Sequence, residues 1–365
     1  MKTSKITAIA HALPTNRLTQ ATLEERFGTK AVKSITKMSG IRERRIVSPG
    51  QCASDLAYAA AIRLIEHLDI DLSSIDLLTF ATQTPDFRIP ATSSVLQGKL
   101  GLSEHCCTFD INQACSSFIH SLQIAHSMIV AGTAKRALVL NGDALSTLIN
   151  PMDRGLVTLH GDAATAALFE PAESGTGGIE YIEIGTDGTK FDRLLIPAGG
   201  ARMPSSRETI IEVADEDGCI RNLEQIYMDG PSVFHFVVYK VTDVLKSTLT
   251  KLQRTIDDFD MVLLHQANKT MVDLIYRALG VPQEKRFYYM EEVGNCSGAS
   301  LPSLLAQAWR EGIIKPASRT LLCSFGGGLS WGVAIVKWPY DADAAVPGIV
   351  DVPFLPEDEA LYAKI

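Results

Sequence analysis

Cys115, His265 and Asn295 are the side chains of this 365-residue chain whose types and settings could carry chemistry. Cys115 stands in Gln113-Ala114-Cys115-Ser116-Ser117-Phe118, between a strand-like stretch over Thr108 to Ile111 and a helix over Ser116 to Ala131 with Phe118, Leu122, Ala125 and Ile129 on one face. A thiol at a strand-to-helix junction faces a cleft, and the helix N-terminus favours its anion, so a nucleophilic thiolate is expected there. The bland alternative is a packing cysteine, the usual fate of a free thiol. His265 ends the apolar run Leu263-Leu264, which puts an imidazole at the C-terminal edge of a sheet, where open α/β folds build sites. Asn295 lies in the small-residue turn Gly294 to Ser300, where backbone can approach a ligand and an amide can donate; a simple capped turn is the alternative.

Other candidates are weaker. Gly326-Gly327-Gly328 could supply oxyanion-binding amides, but no lysine follows it closely and it does not fit the GxxxxGK[ST] phosphate loop. His105-Cys106-Cys107 fits a tetrahedral metal site poorly because its ligands are adjacent, so no metal is expected. The remaining histidines lack the setting of His265; His120 and His126 fall inside the helix after Cys115 and are read as packing or surface residues.

Short apolar runs alternate with helix-period segments, the α/β pattern. Helices are predicted over Ala57 to Leu68, Ser116 to Ala131 (closed by Gly132), Val241 to Leu252 and Leu301 to Arg310, and strands over Asp76 to Ala81, Ala137 to Leu140, Asp260 to Leu264 and Thr320 to Cys323. Ile75 to Ala81 and Phe259 to His265 share one grammar of Asp followed by a strand, and Arg136 and Arg319 each lead a later strand. An internal duplication is the natural reading, although any two α/β halves resemble one another somewhat. The division predicted is residues 1–175, residues 176–340 and an appended tail over 341–365 without helical or strand period, with a surface connection at Pro171 to Gly178.

Composition narrows the class. Apolar residues are 46% and charged residues 21%, which excludes disordered, collagen-like and coiled-coil chains. The 34 basic and 42 acidic residues give a net charge of −8, so duplex nucleic acid is not an expected partner. No run reaches the roughly 18 apolar residues of a membrane span, and the first residues lead into a strand rather than a signal-peptide core, so a cytoplasmic location is expected. The seven cysteines are scattered without a CxxC pair, which argues against a disulfide framework.

Taken together, ACSSF at 114–118, HQAN at 265–268, GNCSGAS at 294–300 and FGGGLSWG at 325–332 resemble the thiolase superfamily, specifically the β-ketoacyl carrier-protein synthase III family. SGIRERR at 39–45, PDFRIPATS at 85–93 and HGDAATAALF at 160–169 support the match, which covers about residues 4 to 338. The resemblance implies the duplicated five-layered αβαβα thiolase-like fold and a homodimer. It implies Cys115 as acyl-accepting nucleophile, His265 and Asn295 as partners in condensation, and the amides of Cys115 and Gly327 as oxyanion hole. It further implies Ile89 at the base of the acyl pocket, Phe87 beside it, and Asn268 and Lys37 on the substrate path. A Cys-His-Asn set also serves papain-like proteases, but their cysteine lies early in another signature and without the glycine triplet.

Two family arginines that contact the nucleotide or carrier protein are replaced, by Met38 and by Thr270; Lys37, Arg42 and Lys269 could compensate, or could be plain surface charge. The expected reaction is a Claisen condensation between a Cys-bound acyl thioester and a malonyl or β-ketoacyl thioester in specialised lipid or polyketide synthesis. Coenzyme A or phosphopantetheine would carry the substrates, as acyl-CoA or acyl carrier protein, with no separate cofactor. Alternatives are a ring-closing dialkylresorcinol-type synthase, acyl transfer to an oxygen or nitrogen acceptor, and an inactive pairing subunit; the last is disfavoured because all three residues are present.

Overall fold

The computed structural model describes residues 2–173, 175–339 and 350–353. Two sheets carry the chain. In the first, Leu77–Ala81 runs parallel to Ala137–Asp143, which is antiparallel to Ala163–Glu173, itself antiparallel to Lys2–Pro14. In the second, Met261–Leu264 runs parallel to Arg319–Gly326, which is antiparallel to Ser330–Lys337, itself antiparallel to Gly178–Thr186. Strand order and sense repeat, and Cys107–Ile111 with Val350–Val352 extend only the first sheet. The molecule is thus a duplicated α/β structure.

The helices Ser117–Ala131 and Ser300–Arg310 lie between the sheets, where Phe118, Leu122, Leu301 and Leu304 join Val139 and Ala167 of one sheet to Leu263, Leu322 and Ala334 of the other. Ala53–Leu68 covers the outer face of the first sheet, and Thr242–Lys251 with Lys269–Leu279 covers that of the second. Helix, sheet, central helices, sheet and helix make the five layers. Central helices meet apolar surface on both sides, which is why Ser117–Ala131 is apolar well beyond a single stripe.

Matching struts explain the repeated sequence grammar. Asp76 accepts from the amides of Lys135 (2.7 Å) and Arg136 (3.2 Å), and Asp260 accepts from the amide of Arg319 (2.7 Å). Arg136 then pairs with Glu170, and Arg319 with Glu180. Each Asp fastens the start of one strand to its parallel neighbour; Arg136 ties its strand to the adjacent antiparallel one, whereas Arg319 reaches across Ser330–Lys337 to the strand Gly178–Thr186.

Three expectations change. The helix predicted from Ala57 starts at Ala53, because Asp55 accepts from the Cys52 amide at 2.8 Å and closes a capping box that apolar periodicity does not reveal. Pro171 to Glu173 are not surface connection but strand, paired with Ser4 to Lys2, and the next strand begins at Gly178. In the tail, Val350–Val352 lies parallel to Ala12–Pro14, with Asp351 on Arg45 at 3.0 Å; residues 341–349 and 354–365 fall outside the described residues. No helix among the described residues is long and apolar enough to cross a membrane.

Candidate active site

Cys115 sits in a single 3-10 turn, Ala114–Ser116, that runs into the central helix Ser117–Ala131. Ala114 adopts φ +45°, a left-handed conformation that an alanine holds only under the constraint of its surroundings. The sulfur approaches the Ser297 hydroxyl at 3.5 Å. Burial pushes the thiol up to about 12, and the Asp143 carboxylate adds to the shift while Ser297 opposes it. Desolvation by burial thus works against the ionised thiolate expected at the helix N-terminus.

The second half of the chain presents a matching turn, Ser297–Ala299, entered through Ser297 at φ +50°. Just before it, the Asn295 side-chain oxygen accepts from the Ser297 amide (3.0 Å) and the Ser300 hydroxyl (3.3 Å). With the oxygen so held, the Asn295 NH2 is the end left to donate. His265 follows Met261–Leu264, its amide bonded to the Cys323 carbonyl at 2.8 Å and its ring edge-on to Phe325 at 5.3 Å. Burial, with a contribution from His160, holds its imidazole down at about 3, so the ring is neutral at physiological pH. Its Nδ1 has no hydrogen-bond partner.

A cavity of about 460 Å³ reaches the Cys115 residue, and its lining includes Gly327, Gln83, His160, Leu145 and Leu148. His265 and Asn295 are buried, at 1% and 6% exposure, outside that lining. Asn295 connects to it through neighbours: through Ser297 to the sulfur, and through backbone bonds that bracket His160, since its own amide donates to Leu159 and its carbonyl accepts from Gly161. Glycine is required at these contacts. A Cβ on Gly326 would lie 2.6 Å from that of Cys115, and one on Gly161 would lie 2.1 Å from the Val293 carbonyl oxygen.

Residues 109–188 match the family 3-oxoacyl-[acyl-carrier-protein (ACP)] synthase III, and residues 249–338 match its C-terminal part. The chain is 35% identical over 340 residues to the beta-ketoacyl-[acyl-carrier-protein] synthase III of Natranaerobius thermophilus, covering 93% of this chain and 100% of the relative. It belongs to the synthase III family. The 3-oxoacyl-(acyl-carrier protein) synthase of Burkholderia xenovorans superposes with a TM-score of 0.88 at 30% identity, over 96% of this chain and 98% of that one. A priming β-ketosynthase of the R1128 polyketide pathway superposes at 0.79 with 28% identity, over 92% and 96%. The family is one of acyl-transferring, carbon-carbon bond-forming condensing enzymes, and the chain has its thiolase-like fold.

Set against synthase III expectations, the substrate-path residues scatter. Ile89 is 86% exposed, on a loop tied to Gly199 by Arg88, and neither it nor Phe87 lines the cavity. Asn268 caps the helix Lys269–Leu279, accepting from Met271 at 2.9 Å, so its carboxamide oxygen is already engaged. Lys37 is exposed on the helix Thr29–Ser39, also away from the cavity. The two positions that lack family arginines touch each other: Thr270 donates to the Met38 carbonyl at 2.6 Å. Arg42 pairs with Glu291 and Lys269 with Asp273, so both cations have local partners.

Sequence reasoning passed over three residues of the site. Gln83 donates to the Ser297 hydroxyl at 2.6 Å, extending the polar chain behind the sulfur. Ser297 was visible only as part of a small-residue turn. His160 was set aside with the other histidines, yet it lines the cavity, its imidazole is held at about 4 by burial, and its Nδ1 is unpartnered. Its one sequence signal was its place at the head of HGDAATAALF. His120 and His126 do what was expected of packing residues, bonding the Ser116 carbonyl (3.0 Å) and the Ser4 hydroxyl (2.9 Å).

Proposed function

We propose that Cys115 accepts an acyl group from acyl-CoA or acyl carrier protein, and that His265 and Asn295 then serve carbon-carbon bond formation with a malonyl or β-ketoacyl thioester. The observation that carries this reading is Cys115 in the cavity lining, its sulfur 3.5 Å from the hydroxyl of Ser297, the residue whose amide pins the Asn295 side-chain oxygen. A thiol held near 12 is a weak nucleophile until its proton moves. The neutral imidazoles of the site are suited to take that proton as sulfur attacks the thioester, and it ends on the departing carrier thiol. The amides of Cys115 and Gly327 would hold the oxyanion formed on the way.

Loss of CO2 from a malonyl unit leaves an enolate. Two neutral donors in a dry site stabilise that charge, each worth about 3 kcal/mol. Coenzyme A or phosphopantetheine enters as the carrier of substrate. A homodimer accords with the exposed apolar residues Phe191, Ile210, Ile211 and Val213, and it would carry the projecting Ile89 into a partner. A cytoplasmic location accords with soluble thioester carriers.

A second reading draws on His160. Malonyl units generate their carbanion by decarboxylation, whereas a β-ketoacyl unit must lose a proton, and a second neutral imidazole in the wall can accept it. On this reading the partner is a β-ketoacyl thioester, with ring closure as a further step. Acyl transfer to oxygen or nitrogen would instead give an ester or amide.

The test is intact mass after incubation with acyl thioesters, then product mass after adding malonyl or β-ketoacyl acceptors. Wild type gains one acyl group and Cys115→Ala gains none. Asn295→Ala still loads but condenses with malonyl acceptors about 10²–10³-fold more slowly. Equal labelling of Cys115→Ala overturns the assignment.

A further inference from the structure

Asp143 has no part in the chemistry above, yet it is a buried carboxylate set behind the nucleophile. It ends the strand Ala137–Asp143 and is 1% exposed. Its partners are neutral donors: the Gln83 backbone amide at 2.6 Å, the Gln83 side-chain amide at 3.3 Å, the Thr82 hydroxyl at 3.4 Å, the Gly298 amide at 3.3 Å and the Ser297 hydroxyl. None of these is a cation. Burying an anion without a countercharge is costly, and a carboxylate kept on such terms beside a nucleophile is a candidate for function.

Hydrogen-bond accounting fixes the direction of the contacts. A serine oxygen has two lone pairs and one hydrogen. Gln83 donates to the Ser297 oxygen at 2.6 Å and the Cys115 thiol donates to it at 3.5 Å, so both lone pairs are engaged. The hydroxyl hydrogen is left to donate, and it goes to Asp143. The same Gln83 nitrogen reaches both Ser297 and Asp143, which holds the hydroxyl in that orientation. A one-way chain results, from the sulfur through the Ser297 hydroxyl to the carboxylate.

We propose that, when the Cys115 sulfur attacks an acyl thioester, its proton leaves along this chain, through Ser297 to Asp143. The inference rests on the acyl-loading reading above and deepens it by naming the path of the proton. The S–H bond breaks as the new S–C bond forms; the thiol proton passes to the Ser297 oxygen and the Ser297 proton to the carboxylate. The carbonyl electron pair moves onto the oxygen. When that pair returns, the C–S bond to the carrier breaks, and the proton travels back through Ser297 to the departing carrier sulfur. Burial pushes the Asp143 carboxyl above its ordinary 3.8, whereas burial holds His265 at about 3 and His160 at about 4, so the carboxylate is comparable to either ring as a base. It is also already joined to the sulfur, whereas the Nδ1 atoms of both rings have no hydrogen-bond partner. The imidazoles then stay neutral for the condensation step.

The experiment measures two rates on each variant. One is acyl loading of Cys115 from acetyl-CoA or octanoyl-CoA, read by intact mass; the other is alkylation of Cys115 by iodoacetamide at pH 8, read by peptide mass. Loading needs an acceptor for the proton, whereas alkylation reports the ionised fraction of the thiol and its accessibility. Asp143→Asn is expected to slow loading about 100-fold, as loss of a general base does. Its alkylation should be no slower than that of wild type, because a carboxylate that pushes the thiol up is gone. If Asp143→Asn shows no urea unfolding transition, Ser297→Ala decides: its loading should fall about 100-fold, against about 10-fold for its alkylation. Equal losses in both rates overturn the proposal, because they mean that the chain only places the sulfur. Loading by Asp143→Asn within about 3-fold of wild type overturns this inference alone. A wild type that loads from neither thioester overturns the acyl-loading reading and this inference with it.

Discussion

The turns Ala114–Ser116 and Ser297–Ala299 occupy equivalent places in the two halves, and each enters a central helix through a residue at positive φ. What they carry is opposite. The position after the strained residue is Cys115 in the first half and Gly298 in the second. Each turn faces a strand end from the other half with the opposite choice. Cys115 meets Gly326, the last residue of Arg319–Gly326, whereas Gly298 donates its amide to the carboxylate of Asp143, the last residue of Ala137–Asp143, at 3.3 Å. A side chain on one element is answered by a hydrogen atom on its partner. The duplication therefore gives two copies of one backbone device, and close packing between the halves allows a single side chain at each crossing. Only one half can present the thiol.

The largest test of this complementarity adds a methyl group at each glycine. Gly326→Ala forces a carbon to 2.6 Å from the Cys115 Cβ and 2.9 Å from its amide nitrogen, so the sulfur must move. Displacement of about 1 Å at a reacting atom costs on the order of 100-fold, and acyl loading measured by stopped mass analysis is expected to fall by that much. Gly298→Ala meets the Ser117 hydroxyl at 2.3 Å instead, and is expected to cost about 1–3 kcal/mol of stability in denaturant unfolding. Equal effects of the two substitutions on loading and on stability would break the comparison.

The next test concerns charge. The buried Asp143 carboxylate and burial itself both push the Cys115 thiol up, and Ser297 is the neighbour that opposes them. With the thiol near 12, its ionised fraction grows tenfold for each pH unit from 7 to 10, and alkylation of Cys115 should rise in step without a plateau. Ser297→Ala removes the hydroxyl 3.5 Å from the sulfur, raises the thiol further and slows alkylation at any such pH by about 10-fold. A plateau near neutral pH would mean that a thiolate is the resting state after all.

How far the sequence led can be judged at particular residues. The main strands, the helices and their repetition in two halves were legible in apolar periodicity and glycine placement, which are local signals, and the pairing of Cys115 with the Asn295 turn came from the family resemblance. The protonation state of Cys115 was not legible, because desolvation depends on everything packed around the sulfur, and no neighbour in sequence reports it. His160 was overlooked for a similar reason: its place in the wall is set by Gly161 passing under the Val293 carbonyl, a contact between segments 132 residues apart (293 − 161). Ile89 was expected at the base of a pocket and stands on the surface of the chain, since a resemblance names a residue without fixing the conformation of the loop that carries it. The Asp76 and Asp260 grammar was visible as pattern, and its physical cause appeared only once each carboxylate was seen under its backbone amide.

Those two aspartates provide the finest test. Both accept from the amide that opens an inner strand, Asp76 from Arg136 and Asp260 from Arg319, but Asp76 also accepts from Lys135. Asp76 is half-buried and Asp260 exposed, so loss of a carboxylate acceptor should weigh more in the first half. Asp76→Ala is expected to destabilise by about 2 kcal/mol and Asp260→Ala by about 1 kcal/mol, read as shifts in the urea midpoint at constant slope. Because the two struts share no partner, the double variant should lose the sum to within about 0.5 kcal/mol. A large departure from that sum would mean that the two sheets stiffen one another through the central helices, and that the halves respond as one cooperative body even where their struts do not meet.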